Sequence, residues 1–98
     1  MDTDDILKAI SHPVRRDILN WLKDPPGNFP GQTHPHEMGV CAGQIGARAA
    51  LSQSTMSTHL AILQKAGLVS CRKLGQWSFF RRNEPVIRQF LGHMNDSL

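Results

Sequence analysis

The spacing of apolar residues changes once along this chain, close to Gly67. Before that point, Met56, Leu60 and Leu63 recur at the three- and four-residue intervals of a helix with one buried side. After it, residues 68–82 form two short runs with strand-like alternation, separated by a two-residue turn that contains a glycine. The change predicts a helix followed directly by a β-hairpin, and the fold must contain that junction.

Further helices are predicted on both sides of this junction. The first covers residues 3–11, and Pro13 suits the first position of a second helix because its missing N–H would be unpaired there. A short helix fits residues 41–51, and Ser52 is a good N-cap for the helix that follows it. Asn83 is expected to cap a last helix. The chain is therefore predicted to be mainly α, of the α+β type.

Residues 24–40 differ from the rest of the chain in composition. Four prolines and three glycines fall within these 17 residues, which cannot sustain a helix or a central strand. We expect a long loop here, with Phe29 as an anchor that holds it to the body of the protein. Long connections of this kind are uncommon in compact domains and are often functional.

Size and charge limit the classes of protein to consider. The chain has 98 residues and a net charge of +3, which predicts one domain over residues 1–98 and only weakly supports a polyanionic partner. No apolar run approaches the roughly 18 residues of a membrane span, and the acidic N-terminus is unlike a secretory signal. We expect a cytoplasmic protein that has no membrane partner.

The junction segment has the features of a helix-turn-helix followed by a wing. In that arrangement the start of the second helix enters the major groove of DNA and must carry short polar side chains. A basic hairpin beside it can contact phosphates or the minor groove. The predicted DNA-binding residues are Gln53, Ser54, Thr55, Ser57, Thr58 and His59 on the helix, and Arg72, Lys73, Gln76, Arg81 and Arg82 on the hairpin.

Each feature taken alone also has a simpler interpretation. The polar run could be a solvated, well-capped helix face, and the hairpin cations could protect an edge strand from aggregation. A winged helix used only for protein contact is the alternative function, but it would favour an apolar or acidic face. No nucleophile elbow, phosphate loop or His-Glu-x-x-His helix is present, so we expect no enzyme activity.

Two segments resemble the ArsR-type family of winged helix-turn-helix regulators. Residues 51–60 (LSQSTMSTHL), followed by Ala-Gly-Leu-Val at 66–69, are similar to its recognition helix, and residues 10–19 (ISHPVRRDIL) resemble its second helix. The resemblance implies a winged-helix fold and a homodimer formed through the first and last helices. It also implies a repressor that binds a palindromic double-stranded operator and is released by an inducer.

Candidate sensor residues are incomplete relative to that family. Cys41 matches the first cysteine of its Cys-x-Cys metal site, but Gly43 replaces the second. The last helix offers Glu84, His93 and Asp96 without the paired histidines of the family's other metal site. No cofactor is therefore expected to be required.

Two sensor alternatives remain within the chain itself. His34, His36, Glu37 and Cys41 could supply ligands to zinc or a similar ion, which would then act as an inducer. Cys41 and Cys71 could instead form a thiol switch. A solvated loop and two ordinary buried cysteines are the plainer interpretation of the same residues.

Overall fold

Six helices and three strands make up the chain, which the computed structural model describes over residues 1–98. The helices are α1 (Thr3–Ala9), α2 (Pro13–Trp21), α3 (Pro25–Asn28), α4 (Ala42–Ala49), α5 (Gln53–Lys65) and α6 (Glu84–Ser97). The strands are β1 (Val40–Cys41), β2 (Val69–Leu74) and β3 (Trp77–Arg82), and a 3₁₀ turn covers His36–Met38. The order confirms the mainly α class with a helix-turn-helix followed by a hairpin.

Side chains fix where several helices begin. The Asp2 carboxylate accepts a hydrogen bond from the Asp5 N–H at 3.1 Å, and Ser52 Oγ accepts one from the Thr55 N–H at 3.3 Å. Pro13 occupies the first turn of α2, as expected. Asn83 occupies the N-cap position of α6, as predicted, but its side chain makes no capping hydrogen bond.

A sharp turn joins α4 to α5. Ala50 has a left-handed backbone with φ of 55°, and the Leu51 N–H donates to the Gly46 carbonyl at 3.2 Å to close the end of α4. Gly46 is buried, and a β-carbon there would lie 3.7 Å from Met56 Cγ. Gly46 therefore lies at the contact between the two helices of the motif, where a β-carbon would only just touch Met56.

The sheet has three antiparallel strands in the order β1-β3-β2, so β3 is central. Phe79 is paired with Cys41 on one side and with Arg72 on the other, whereas the next residue, Phe80, faces the opposite surface of the sheet. Both phenylalanines are buried. The hairpin is consequently covered on both surfaces, and the third strand, β1, was not predicted.

The main core fills the space between the Phe80 surface of the sheet and the helices. Its fifteen buried residues come from every part of the chain, including Ile6 of α1, Ile18 of α2, Leu63 of α5 and Phe90 of α6. Residues 24–40 cover the other surface of the sheet. The His34 ring lies 5.1 Å from the Phe79 ring and 5.0 Å from the Trp77 ring.

Residues 24–40 are therefore ordered, and the expectation of a loop without helix or strand was wrong. Pro25 in the first turn and the Asp24 carboxylate, which accepts from the Gly27 N–H at 3.3 Å, start the one-turn helix α3. Phe29 is buried and anchors the segment as predicted. The prolines shorten these elements but do not prevent them.

Buried Gln32 fastens this segment to β1. Its amide nitrogen donates to the Gly39 carbonyl at 3.0 Å and to the His34 carbonyl at 3.1 Å. Its amide oxygen accepts from the Cys41 N–H at 2.8 Å. Three backbone groups that the prolines and glycines leave without regular partners are satisfied by one side chain.

Helix α6 packs on the core along one side, where Val86, Ile87 and Met94 are half-buried. Phe90 is its one buried residue, and the chain measures 42 × 25 × 23 Å along its principal axes. Leu91 is 58% exposed. None of the helices combines the length and apolar character that a membrane crossing requires.

Candidate nucleic-acid interface

The first two turns of α5 present polar side chains to solvent. The Ser52 hydroxyl lies 3.4 Å from the Ser54 hydroxyl and 2.9 Å from the Thr55 hydroxyl. Thr58 Oγ1 donates to the Ser54 carbonyl at 3.1 Å. Exposed residues of this run are Gln53, Ser54, Thr55, Ser57 and Thr58. Gln53 and Ser57 side chains have no hydrogen-bond partner within the chain, so they are the freest to bind base edges.

His59, the sixth residue predicted on this helix, lies on its inner side. It is only 9% exposed, and its Nδ1 is 3.1 Å from Nη1 of Arg15 on α2. Because a guanidinium only donates, Nδ1 must accept and therefore carries no proton. His59 holds α5 to α2, and its assignment as a DNA contact was wrong.

The environment of His59 keeps the imidazole neutral. Its pKa is lowered from the ordinary 6.5, first by burial and then by the charges of His12 and Arg15. The His12 ring lies 4.7 Å from the His59 ring, and Arg15 Nε also donates to the Ala9 carbonyl at 2.6 Å. This cluster joins the end of α1, the start of α2 and the middle of α5.

The exposed cationic side chains of β2 that have no partner within the chain lie near the turn of the hairpin. Arg72, Lys73 and Gln76 are exposed, in the turn-side half of β2 and in the turn itself. Arg81 is exposed as well, although its guanidinium donates to the Glu37 carbonyl of the preceding segment. Arg72 and Arg81 share the surface of the sheet that Phe79 occupies, as the alternation along β3 predicted.

The Arg82 side chain forms its contacts within the protein. Its guanidinium forms an ion pair with Glu84 and donates to the Leu19 carbonyl at 3.0 Å, and its side chain is 12% exposed. The Arg82 hydrogen bond lowers the pKa of Glu84, so the pair stays charged. Arg82 joins β3 to α2 and α6, and the prediction that it contacts phosphate was wrong.

Charge is distributed unevenly along the chain. None of its eight acidic residues falls within residues 38–83, the range that contains the helix-turn-helix and the hairpin. The cations of that range are Arg48, Lys65, Arg72, Lys73, Arg81 and Arg82. A segment without acidic residues adds no like-charge repulsion when it meets a phosphate backbone.

The four residues considered for a metal site do not converge. His36 Nε2 is hydrogen-bonded to the Phe29 carbonyl at 2.8 Å, and His34 packs against aromatic rings of the hairpin. Cys41 is buried, while the side chain of Glu37 is exposed. No group of three or more His, Cys, Asp or Glu side chains is placed to hold a metal ion.

The two cysteines are free and lie on opposite surfaces of the sheet. Cys41 is opposite Phe79, Cys71 is opposite Phe80, and β3 separates the two outer strands. Two strand spacings amount to roughly 9–10 Å, beyond the ~7 Å limit between Cα atoms of a disulfide. An intramolecular thiol switch through this pair is incompatible with the fold.

Comparison with known proteins decides the family. Residues 40–70 match the model for bacterial regulatory proteins of the arsR family. The chain is 37% identical over 93 residues to the HTH-type transcriptional regulator YbzH of Bacillus subtilis, covering 89% of each chain. It belongs to the ArsR family. As a member, it is a winged helix-turn-helix DNA-binding transcriptional regulator, not an enzyme.

Other relatives of this ArsR-family protein include a transcriptional repressor and a transcriptional activator. The transcriptional repressor SdpR of B. subtilis is 32% identical, with 91% of this chain and 84% of that protein covered. The transcriptional activator HlyU of Vibrio cholerae is 33% identical, with 88% and 68% covered. The direction of regulation therefore differs among relatives of similar identity.

Solved structures share the fold. A possible transcriptional regulator for arsenical resistance superposes with a TM-score of 0.72 at 24% identity, covering 94% of this chain and 82% of that one. The homodimeric winged helix-turn-helix DNA-binding domain Mb0332 of Mycobacterium bovis gives 0.67 at 22% identity, covering 96% and 76%. Both support the winged-helix architecture derived above.

Two residues that position the interface were absent from the predicted set. Arg15 locks the recognition helix α5 to α2 through His59, and Gln32 fixes the segment that covers the hairpin. His59 lies three residues after Met56 and four before Leu63, both buried, and that spacing marks the inner face of α5. No periodic signal marks Gln32, because its partners are backbone groups of an irregular segment.

Proposed function

We propose that this ArsR-family protein is a homodimeric repressor that binds a palindromic operator and releases it when an inducer binds. In this proposal the start of α5 contacts bases, through Gln53 and Ser57 above all, and the hairpin tip contacts phosphates. The observation that carries it is the absence of acidic residues from residues 38–83, where free polar and basic side chains lie together. Repression is supported by the resemblance to SdpR.

The homodimer in this proposal uses α1 and α6. Leu7 of α1 and Leu91 of α6 are large exposed apolar side chains, and α6 buries only Phe90 within its own chain. Val86, Ile87 and Met94 of α6 are only half-buried against the core, so a partner surface that covers this helix would stabilise it further. The homodimeric Mb0332 domain, which has the same fold, supports a homodimer.

The experiment is a fluorescence anisotropy titration against labelled DNA taken from just upstream of the protein's own gene. We expect saturable binding with two chains per palindromic site and an affinity that falls steeply with salt, because bound cations displace counterions from the DNA. Affinity insensitive to salt would contradict the proposal and favour a winged helix used for protein contact. Saturation at one chain per site would contradict the dimer.

A matched pair of variants tests the assigned face of α5. Ser57→Ala removes an exposed hydroxyl without a protein partner and is expected to weaken operator binding several-fold, within the ~1–3 kcal/mol of a base contact. Ala61→Ser, one helical turn later on α5 and also exposed, is the control and should bind normally. Equal affinity of Ser57→Ala and the wild type would remove Ser57 from the interface.

Release by an inducer requires a site for that inducer. The residues at 34–41 considered for a metal do not converge, and Cys41 and Cys71 cannot pair within one chain. Parallel titrations with zinc and with an oxidant still test both ideas directly. Loss of DNA binding with either would show that an inducer acts through a rearranged or intermolecular site.

A further inference from the structure

A half-open cavity of about 470 Å³ separates the helix-turn-helix from the hairpin. One wall is α4, the second is the start of α5, and the third is the hairpin from its turn into β3. Its floor includes Met56 and Leu60, both almost fully buried residues of the main core. A cavity whose floor belongs to the core is already formed before any ligand arrives.

The lining of this cavity is apolar at the bottom and neutral throughout. Leu51, Met56 and Leu60 supply aliphatic surface, and the indole of Trp77, which is 42% exposed, forms part of the hairpin side. No Lys, Arg, His, Asp or Glu is among its residues. A charged molecule would lose its hydration there without gaining an ionic partner.

The rim of the cavity provides hydrogen-bonding groups that carry no charge. Gln53 and Ser57 lie on the α5 side, and Gln76 and Ser78 lie on the hairpin side. An apolar floor with a few polar groups at the edge is the usual make-up of a small-molecule site. An aromatic ring could stack on Trp77 while one polar substituent bonds to an amide or hydroxyl of the rim.

We propose that this cavity binds a neutral aromatic molecule of one or two rings, and that binding there weakens the affinity for DNA. The volume lies within the ~300–1,000 Å³ of typical ligand sites. The proposed effect on DNA affinity rests on the proposed function, because Gln53, Ser57 and Gln76 are both rim residues of the cavity and candidate DNA contacts. A ligand that occupies these groups, or widens the gap between α5 and the hairpin, binds free protein better than the DNA complex.

The test uses indole as the probe and ¹⁵N-labelled full-length protein. We expect saturable chemical-shift changes at the backbone amides of Gly43 and Gly46, at the Gln53 and Gln76 side-chain amides, and at the Trp77 indole N–H. Trp21 lies outside the cavity lining, so its indole N–H is an internal control. Tryptamine, the cationic analogue, is expected to bind at least ten times more weakly because the cavity offers it no counter-charge.

Two matched variants locate the binding. Ala47→Phe places a ring in the cavity from the exposed side of α4, and we expect it to weaken indole binding at least tenfold. Ala61→Phe makes the same change at an exposed α5 position outside the lining and should leave indole binding unchanged. Thermal denaturation of both variants verifies that they fold.

The outcomes separate this inference from the proposed function. No saturable shifts, shifts confined to residues outside the cavity, or binding that survives in Ala47→Phe would overturn the site. With wild-type protein, saturating indole is expected to reduce operator affinity about fivefold or more, and an unchanged affinity would overturn its regulatory role. Salt-sensitive DNA binding without indole tests the proposed function alone, whatever indole does.

Discussion

The Arg15–His59 contact shows how single side chains set the orientation of the recognition helix. Arg15 bonds to the Ala9 carbonyl, to the Lys8 carbonyl and to His59, and so joins two other helices to α5. The contact requires an unprotonated Nδ1 on His59. Protonation of His59 would place a second positive charge beside the Arg15 guanidinium.

Stability is therefore expected to fall on acidification. Because the pKa of His59 is lower in the folded than in the unfolded chain, the unfolded chain binds more protons below pH 6.5. The favourable contribution is present above pH 6.5 and is lost as the pH falls from 6.5 toward the lowered pKa. Urea denaturation of the wild type and of His59→Gln over this range measures it. A slope that is equally steep in His59→Gln would place its origin elsewhere.

Most polar residues predicted to contact DNA are exposed, but the sequence patterns did not show that the polar groups of His59 and Arg82 bond within the protein. Arg82 follows Phe80 by two residues, so strand alternation places both on the core side of β3, yet an arginine there is read first as a surface cation. Glu84 is two residues away in sequence, but the Leu19 carbonyl reaches Arg82 only in the folded chain. Charge alone therefore could not separate Arg82 from Arg72.

Among the helices and strands, the hairpin depends most on an element that no local pattern revealed. β1 has two residues and exists because Val40 and Cys41 pair with β3, which is distant in sequence. The α4–α5 motif and the hairpin were predictable because each is specified within its own segment, by caps, apolar spacing and the glycine turn. By contrast, β1 and the packing of residues 24–40 on the sheet depend on contacts between residues that are distant in sequence.

Among residues 24–40, Gly39 is the position that should tolerate substitution least. Its φ is +102°, and a β-carbon would lie 2.8 Å from the Phe80 carbonyl oxygen. Gly39→Ala is expected to lower the free energy of unfolding by about 1–3 kcal/mol or more, as measured by thermal and urea denaturation. Gly92→Ala is the control, since nothing lies within 4 Å of its β-carbon, and helix propensity should stabilise it by up to ~1 kcal/mol. Equal stability of Gly39→Ala and wild type would contradict the packing of β1 against β3.

Two arginines of the hairpin should separate DNA binding from stability. Arg72→Ala is expected to leave the melting temperature unchanged, to weaken binding to all DNA sequences alike and to reduce the salt slope by about 1, as loss of a phosphate contact does. Arg82→Ala should instead lower the free energy of unfolding by about 1–3 kcal/mol, because the Leu19 carbonyl and Glu84 lose their partner. The reverse pattern would exchange the two assigned roles. Anisotropy titrations and denaturation curves on the same samples make the comparison.

In the proposed homodimer, stability and assembly are linked through α6. Leu91→Lys places a charge on the exposed apolar side of that helix and is expected to yield monomers in light scattering and to abolish saturable operator binding. Gln89→Lys adds the same charge at another exposed position of α6, and serves as a comparison for the effect of charge alone. A Leu91→Lys protein that remains dimeric would place the dimer interface on another surface.

The central position of β3 has a consequence for how quickly a complex with DNA forms. A two-stranded ribbon on its own is marginally stable in water, but here β3 lies between β1 and β2, and Phe79 and Phe80 are covered on opposite surfaces. Opening β3 at Phe79 and Phe80 would expose both rings at once, so the amide protons of these two residues should exchange with solvent slowly. A hairpin already ordered before DNA arrives loses little conformational entropy on contact, which leaves collision and orientation to set the association rate.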